Sequence, residues 1–197
     1  MKKLLLGVAL TTLFAAPAFA ALKVGDTAPD FAATASLGGK EFNFKLNEAL
    51  KKGPAVVYFY PSAYTGGCDL EAHTFAENSA KFDAAGATII GVSADNLERL
   101  NQFAADPNFC AGKFPIASDE SLKIAKSYNL NTTPAKAGAK DVRGVEIGHG
   151  FIERTTFVVG KDHKIVAVMS SADDKITPDQ HVDKSLAIVE KMKMASK

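Results

Sequence analysis

Ala55-Val56-Val57-Tyr58-Phe59-Tyr60-Pro61-Ser62-Ala63-Tyr64-Thr65-Gly66-Gly67-Cys68 is the stretch that decides the fold. Its first six residues are β-branched or aromatic, apart from one alanine, which is the pattern of a strand buried on both faces. Pro61 ends the strand, because proline has no N–H for the next ladder bond. A short loop of Ser, Ala, Tyr, Thr and Gly follows, and from Cys68 the recurrence of Leu70, Phe75 and Phe82 among polar residues predicts a helix reaching Gly86. Strand, loop and helix in that order open a βαβ unit.

Working outward, residues 87–92 read as a second apolar strand, and Ser93-Ala94-Asp95-Asn96 supplies capping residues for a helix with Leu97, Leu100 and Phe103 on one face, ending before Pro107. Residues 114–119 predict a short strand and cap, residues 121–128 a helix with Leu122, Ile124 and Ala125 inward, and residues 129–150 a loop. Residues 155–159 and 164–169 flank the turn 160–163 as a hairpin. Thr177-Pro178-Asp179 caps an amphipathic helix carrying Val182, Leu186, Val189 and Met192. Toward the N-terminus, residues 24–31 read as an irregular arm leading to the Gly38-Gly39 turn, and residues 47–52 as a helical turn stopped by Gly53-Pro54. Strands separated by helices and closed by a hairpin imply an α/β domain, a mixed central sheet flanked by helices.

The first twenty residues stand apart. Met1-Lys2-Lys3, the apolar run from Leu4 to Phe14 and Ala18-Phe19-Ala20 have the form of a secretory signal peptide cleaved after Ala20. The apolar run is well short of the roughly 20 residues that span a bilayer. Residues 21–197 then form one domain, with neither repeat nor linker.

The chain has 197 residues, 47% of them hydrophobic and 23% charged, with a net charge of +1. That near-neutral balance lacks the basic field that nucleic-acid or anionic-membrane binding requires. The four histidines, His73, His149, His163 and His181, are not at metal-ligand spacing, and no Gly-rich phosphate loop is present, so neither metal nor other cofactor is expected. Only two cysteines, Cys68 and Cys110, would meet an oxidising compartment. One disulfide is too few to build a scaffold, so the pair is either an incidental staple or redox-active.

Cys68 opens a helix directly after a buried strand, where backbone N–H groups and the helix dipole favour thiolate over thiol. Gly66 and Gly67 leave room for a reactant beside it. Two readings stand at this point, a reactive nucleophile and an inert buried thiol.

Pro61, Thr65 and Cys68 match the Pro-x-x-x-Thr-x-x-Cys motif of the peroxiredoxins, and Cys68-Asp69-Leu70-Glu71-Ala72 resembles the Cys-x-x-Glu-Ala of the bacterioferritin-comigratory-protein, or PrxQ, subfamily. Ala28-Pro29-Asp30-Phe31, Phe114-Pro115 with Ser118-Asp119, and Arg154-Thr155-Thr156-Phe157 are similar to further family motifs, so the resemblance runs from Ala28 to the hairpin. It implies a thioredoxin-like fold with Cys68 as the peroxidatic cysteine, oxidised to a sulfenic acid by peroxide. Thr65 would hold the peroxide, Arg154 would stabilise the thiolate and the leaving oxygen, and Pro61 would shield the sulfenate. Taken singly, each has a plainer role: Thr65 as a helix cap, Pro61 as a strand end, Arg154 as the partner of Glu153 or another surface acid. Glu71 is read both as an orienting partner for Arg154 and as a solvated carboxylate of the first helical turn.

Some PrxQ-like members carry a resolving cysteine where Cys110 lies, which implies an intramolecular Cys68–Cys110 disulfide; a buried free thiol and a structural disulfide are the other readings. The sequence departs from the subfamily at His73, where other members have their second cysteine, and at Gly66, where many have proline. The resemblance implies a thiol-dependent peroxidase acting on hydrogen peroxide or organic hydroperoxides, and the expected leader would place it in the periplasm. Its partners would be a thioredoxin-like protein or small thiol as reductant, and it would be a monomer or homodimer. Its rivals are a thiol-disulfide oxidoreductase, which would be expected to carry Cys-x-x-Cys, a noncatalytic binding module with a structural disulfide, and a copper carrier, which would need Cys-x-x-x-Cys.

Overall fold

The computed structural model describes residues 21–195, and the leader read at residues 1–20 lies outside the described residues. Where the sequence suggested only an arm and a turn, β1 (Ala32–Leu37) and β2 (Lys40–Lys45) form a hairpin in full register. Gly38 and Gly39, at φ +57° and +82°, make the two-residue left-handed turn that such hairpins favour. The strands escape a pattern-based reading because much of both is exposed. Ala35 and Ser36 are buried because β1 pairs with β5 (Ile116–Ser118), eighty residues on, a contact no local pattern announces.

The elements that follow keep their expected order. After α1 (Leu46–Lys52) come β3 (Ala55–Phe59), α2 (Gly66–Ala84), β4 (Thr88–Ser93) and α3 (Leu97–Ala105), then β5 and α4 (Lys123–Ser127). The loop expected over residues 129–150 holds one strand, β6 (Thr132–Thr133), which pairs with β7 (Phe151–Ile152). The hairpin β8 (Thr155–Val159) and β9 (Ile165–Ser170), the short α5 (Ser171–Asp174) and α6 (Pro178–Ala195) complete the described chain. The helix expected over residues 121–128 is shorter, because Leu122 takes φ +57° and the Asp119 carboxylate instead accepts the N–H groups of Ile124 and Ala125.

The seven strands lie in the order β2-β1-β5-β4-β3-β8-β9, with β3–β4 and β4–β5 parallel and the other pairs antiparallel. β3 is interior and buried at every residue. Alternation along it sends Val56 and Tyr58 into one core layer with residues of α2, α3 and α6, and Ala55, Val57 and Phe59 into the other with residues of α1 and α4. Both faces are therefore covered, as its uninterrupted apolar run requires. Gly53 lets the chain cross closely before β3: a Cβ there would lie 1.9 Å from the Gly86 carbonyl oxygen.

Candidate active site

Tyr60 extends the β3 ladder by one bond, donating its N–H to Val92 O, and half-buried Pro61 then turns the chain toward α2. Thr65 is the N-cap residue of α2 by backbone geometry, but its side chain does not cap. Its hydroxyl donates to the Ser62 carbonyl at 2.8 Å, and its carbonyl accepts from Cys68 N and Asp69 N. Cys68 thus sits in the first turn of α2, 2% exposed. The room expected at the glycine pair is at Gly66, where a Cβ meets nothing within 4 Å; at Gly67 it would come within 3.3 Å of both Arg154 Nη2 and Pro178 Cγ.

Arg154 stands one residue before β8 and points its guanidinium across at α2. Nη2 lies 3.1 Å from Cys68 Sγ, while Nη1 donates to Glu71 Oε2. The pairing with Glu153 does not form, since Glu153 accepts from the N–H and side-chain amide of Asn131. Glu71 is fully buried one helical turn after Cys68, which excludes the solvated-carboxylate reading.

The electrostatics correct a simple helix-dipole expectation for Cys68. Burial pushes its thiol up, Arg154 and the Thr65 hydroxyl pull it back, and the net direction in this closed arrangement is upward. Burial also raises Glu71, to about 7, against the opposing pull of Arg154. One cation therefore serves two buried acids, and the site is electrically neutral when either one, but not both, is ionised.

Cys110 is fully buried in the turn after α3, within the same apolar cluster as Cys68. Both cysteines are free thiols. Burial, with Asp106 and Asp69 nearby, drives the Cys110 thiol well above its ordinary range. His73, at the position of the subfamily's usual second cysteine, ties α2 to this turn, its Nδ1 2.9 Å from the Asn108 carbonyl oxygen.

Two buried polar clusters beside the site escape sequence reasoning. Asp95, read there as a capping residue, leaves that role to Asn96 and is buried, accepting from Ser62 Oγ, Ser93 Oγ and Ala63 N, with His149 Nε2 at 2.8 Å. Burial opposes its ionisation, but His149 and the other donors hold it below the usual carboxylate range. The second group lies on α6. His181 is fully buried between Thr156 Oγ1 and Ser171 Oγ, each 2.9 Å away, and burial with the nearby Arg154 charge lowers it to about 4. A sequence signal for either would have been a histidine on a mixed apolar background, which is too common to single out. Among the described residues no group of three His, Cys, Asp or Glu side chains is arranged to hold a metal ion.

Cys68 at a helix start faces an arginine that leads into a central strand, and residues 24–168 match the family model described as AhpC/TSA family. The chain belongs to the AhpC/TSA family. It is a peroxiredoxin, a thiol-dependent peroxidase. A Mycobacterium tuberculosis protein provisionally named a peroxiredoxin is 32% identical over 166 residues, covering 84% of this chain and 95% of its own. The chloroplastic peroxiredoxin Q of Sedum lineare is 29% identical over 175 residues, 89% of this chain and 82% of its own. Among solved structures, peroxidoxin BcpB of M. tuberculosis superposes with a TM-score of 0.69 at 29% identity, over 86% of this peroxiredoxin and 97% of that chain. The bacterioferritin comigratory protein of Xanthomonas campestris, described for alkyl peroxide reduction, gives 0.64 at 26% identity, over 83% and 92%. The thioredoxin-like fold and the peroxidase class expected from the sequence therefore hold.

Proposed function

We propose that Cys68 is the peroxidatic nucleophile and that Cys110 resolves it, with hydrogen peroxide or an organic hydroperoxide as substrate. The observation that carries this reading is the 3.1 Å approach of Arg154 Nη2 to Cys68 Sγ. The Cys68 thiolate attacks one peroxide oxygen, the S–O bond forms as the O–O bond breaks, and the departing hydroxide or alkoxide takes up the proton given up by the thiol and leaves as water or alcohol. Arg154 faces the developing charge with donors already in place, so little reorganisation is needed as the reaction proceeds. The Thr65 hydroxyl, hydrogen-bonded to Ser62 O and close enough to Cys68 to favour its thiolate, accepts from or donates to the peroxide and holds it in line with the sulfur. Pro61 screens the sulfenate from water. Cys110 then attacks the sulfenic sulfur, and hydroxide leaves as the disulfide forms.

The X. campestris protein's alkyl peroxide activity and the open side of Gly66 support organic hydroperoxides as substrates here. A thioredoxin-like protein or small thiol reduces the disulfide. The leader at residues 1–20 supports a periplasmic location.

The test is intact mass and peptide mapping of reduced protein after one equivalent of hydrogen peroxide, beside Cys68→Ser and Cys110→Ser. Rapid loss of two hydrogens in the wild type, an oxygen adduct in Cys110→Ser and no change in Cys68→Ser are expected. Oxidation of Cys68 that never reaches Cys110 would make the enzyme one-cysteine. An unreactive Cys68 would leave a noncatalytic module as the better account.

A further inference from the structure

The loop that leads into the helix of Cys68 is held in an unfavourable shape from outside. Tyr64, four residues before the thiol, has φ +58°, and Ala111, directly after Cys110, has φ +51°. Neither is glycine, so each conformation persists only because its surroundings impose it. For Tyr64 the imposing contacts come from residues 141–143. Val142 N donates to Tyr64 O at 3.0 Å, and the Arg143 guanidinium carbon lies 3.3 Å from the centroid of the Tyr64 ring. Asp141 sets the arginine in place by accepting from its backbone N, Nε and Nη2, and also binds Arg99 Nη2, which donates to the Ala63 carbonyl.

The same tyrosine ring reaches the turn of the second thiol. Tyr64 packs edge-on against Phe103 at 4.9 Å and Phe109 at 5.5 Å, and Phe109 stacks on Phe103 at 5.0 Å. Phe109 is the residue before Cys110. One side chain thus joins the segments of both cysteines, and residues 141–143 press on it from the solvent side. These residues are held chiefly by polar contacts: Val142 is 65% exposed, and the Arg143 side chain is 32% exposed. Asp141 anchors the segment, its carboxylate buried between Arg99 and Arg143, so it is Val142 and Arg143 that can lift off Tyr64 at small cost compared with any element of the core.

Two sulfurs must come within about 2.05 Å to bond. Cys68 is fixed in a helical turn against Arg154 and Cys110 in a buried turn, so at least one segment must leave its place first. We propose that residues 141–143 act as a strap on Tyr64, and that its release sets the rate of disulfide formation between Cys68 and Cys110. Arg143 is on this account a positioning residue that acts through Tyr64. The inference rests on the reading of Cys110 as the resolving thiol.

The two steps are separable in time. Wild type, Arg143→Ala and Arg143→Lys are mixed with hydrogen peroxide, quenched at intervals with a thiol alkylator and resolved by intact mass, which is needed because the chain has no tryptophan to report the change. In Arg143→Ala, conversion of sulfenic acid to disulfide accelerates about five- to tenfold, the size expected for a lost cation–ring contact. Loss of the Cys68 thiol itself stays within about twofold, and Arg143→Lys, which keeps a cation over the ring, falls between the two. An unchanged or slower second step in Arg143→Ala, or equal changes in both steps, overturns the strap. Absence of any disulfide in all three proteins removes instead the reading of Cys110 on which the strap depends.

Discussion

Arg154 Nη2 lies 3.1 Å from Cys68 Sγ. Its other terminal nitrogen holds Glu71, so the charge that favours the thiolate is shared with a buried carboxyl. Two buried acids around one cation compete, and whichever keeps its proton yields the arginine to the other.

Replacing Glu71 with Gln ends the competition. The Glu71 charge is among the causes that raise Cys68, so in Glu71→Gln the thiol titrates at lower pH. The rate of iodoacetamide alkylation followed against pH shows this as a profile displaced to the acid side. An unmoved profile, or one displaced upward, would mean that Glu71 serves chiefly to hold Arg154 in position.

Arg154→Gln removes the charge and the fork together. The rate of peroxide reduction falls by about a hundredfold or more, the usual effect of deleting a preorganised donor at a developing charge. Arg154→Lys recovers only part of it, because an ammonium cannot reach sulfur and carboxylate in one plane. Stopped-flow consumption of peroxide distinguishes the three proteins, and equal rates would take Arg154 out of the chemistry.

Glu71 and His181 tilt stability in opposite directions with pH. Glu71 rises from 4.5 to about 7 on folding, so between those values the folded chain binds more protons than the unfolded, and stability falls as pH increases through the window. Urea midpoints of Glu71→Gln should lose that slope. His181 drops from 6.5 to about 4 on folding, so stability is full above 6.5 and is lost as pH falls toward 4. His181→Gln flattens the acid limb and lowers stability at pH 7 by about 1–2 kcal/mol through its broken bonds to Thr156 and Ser171. An acid limb as steep as that of the wild type would assign the loss to other groups.

Gly91 is required by contact, not by backbone freedom. A Cβ there would lie 2.6 Å from Tyr58 Cζ, within a fully buried ring that stacks on Phe75 at 4.6 Å. Gly91→Ala costs about 1–3 kcal/mol by overpacking. Thermal unfolding monitored by circular dichroism should show a midpoint several degrees lower, and an unchanged midpoint would mean that the Tyr58 ring moves aside freely.

Periodicity, capping and a few punctuating residues were enough to place β3, α2, β4, α3, the β8–β9 hairpin and α6, because each is decided by neighbours within a turn or a strand. They also placed Cys68 at a helix start, whereas Pro61, Thr65 and Arg154 were set beside it by the resemblance to the peroxiredoxins and not by local pattern. The β1–β2 hairpin was illegible because its burial depends on β5, and the exposed faces carry no strong alternation. Whether Glu71 faced water or protein could not be read from its place on the helix, since its partner Arg154 is 83 residues away. The direction of the Cys68 titration was likewise hidden: a helix N-terminus lowers a thiol, but the depth of burial that outweighs it is set by packing from the sheet and the surrounding helices. The inward turn of Asp95 and the seat of Arg143 on Tyr64 belong to the same class. Local sequence determines which elements form and which chemistry they carry, whereas burial and charge pairing arise only when distant segments meet.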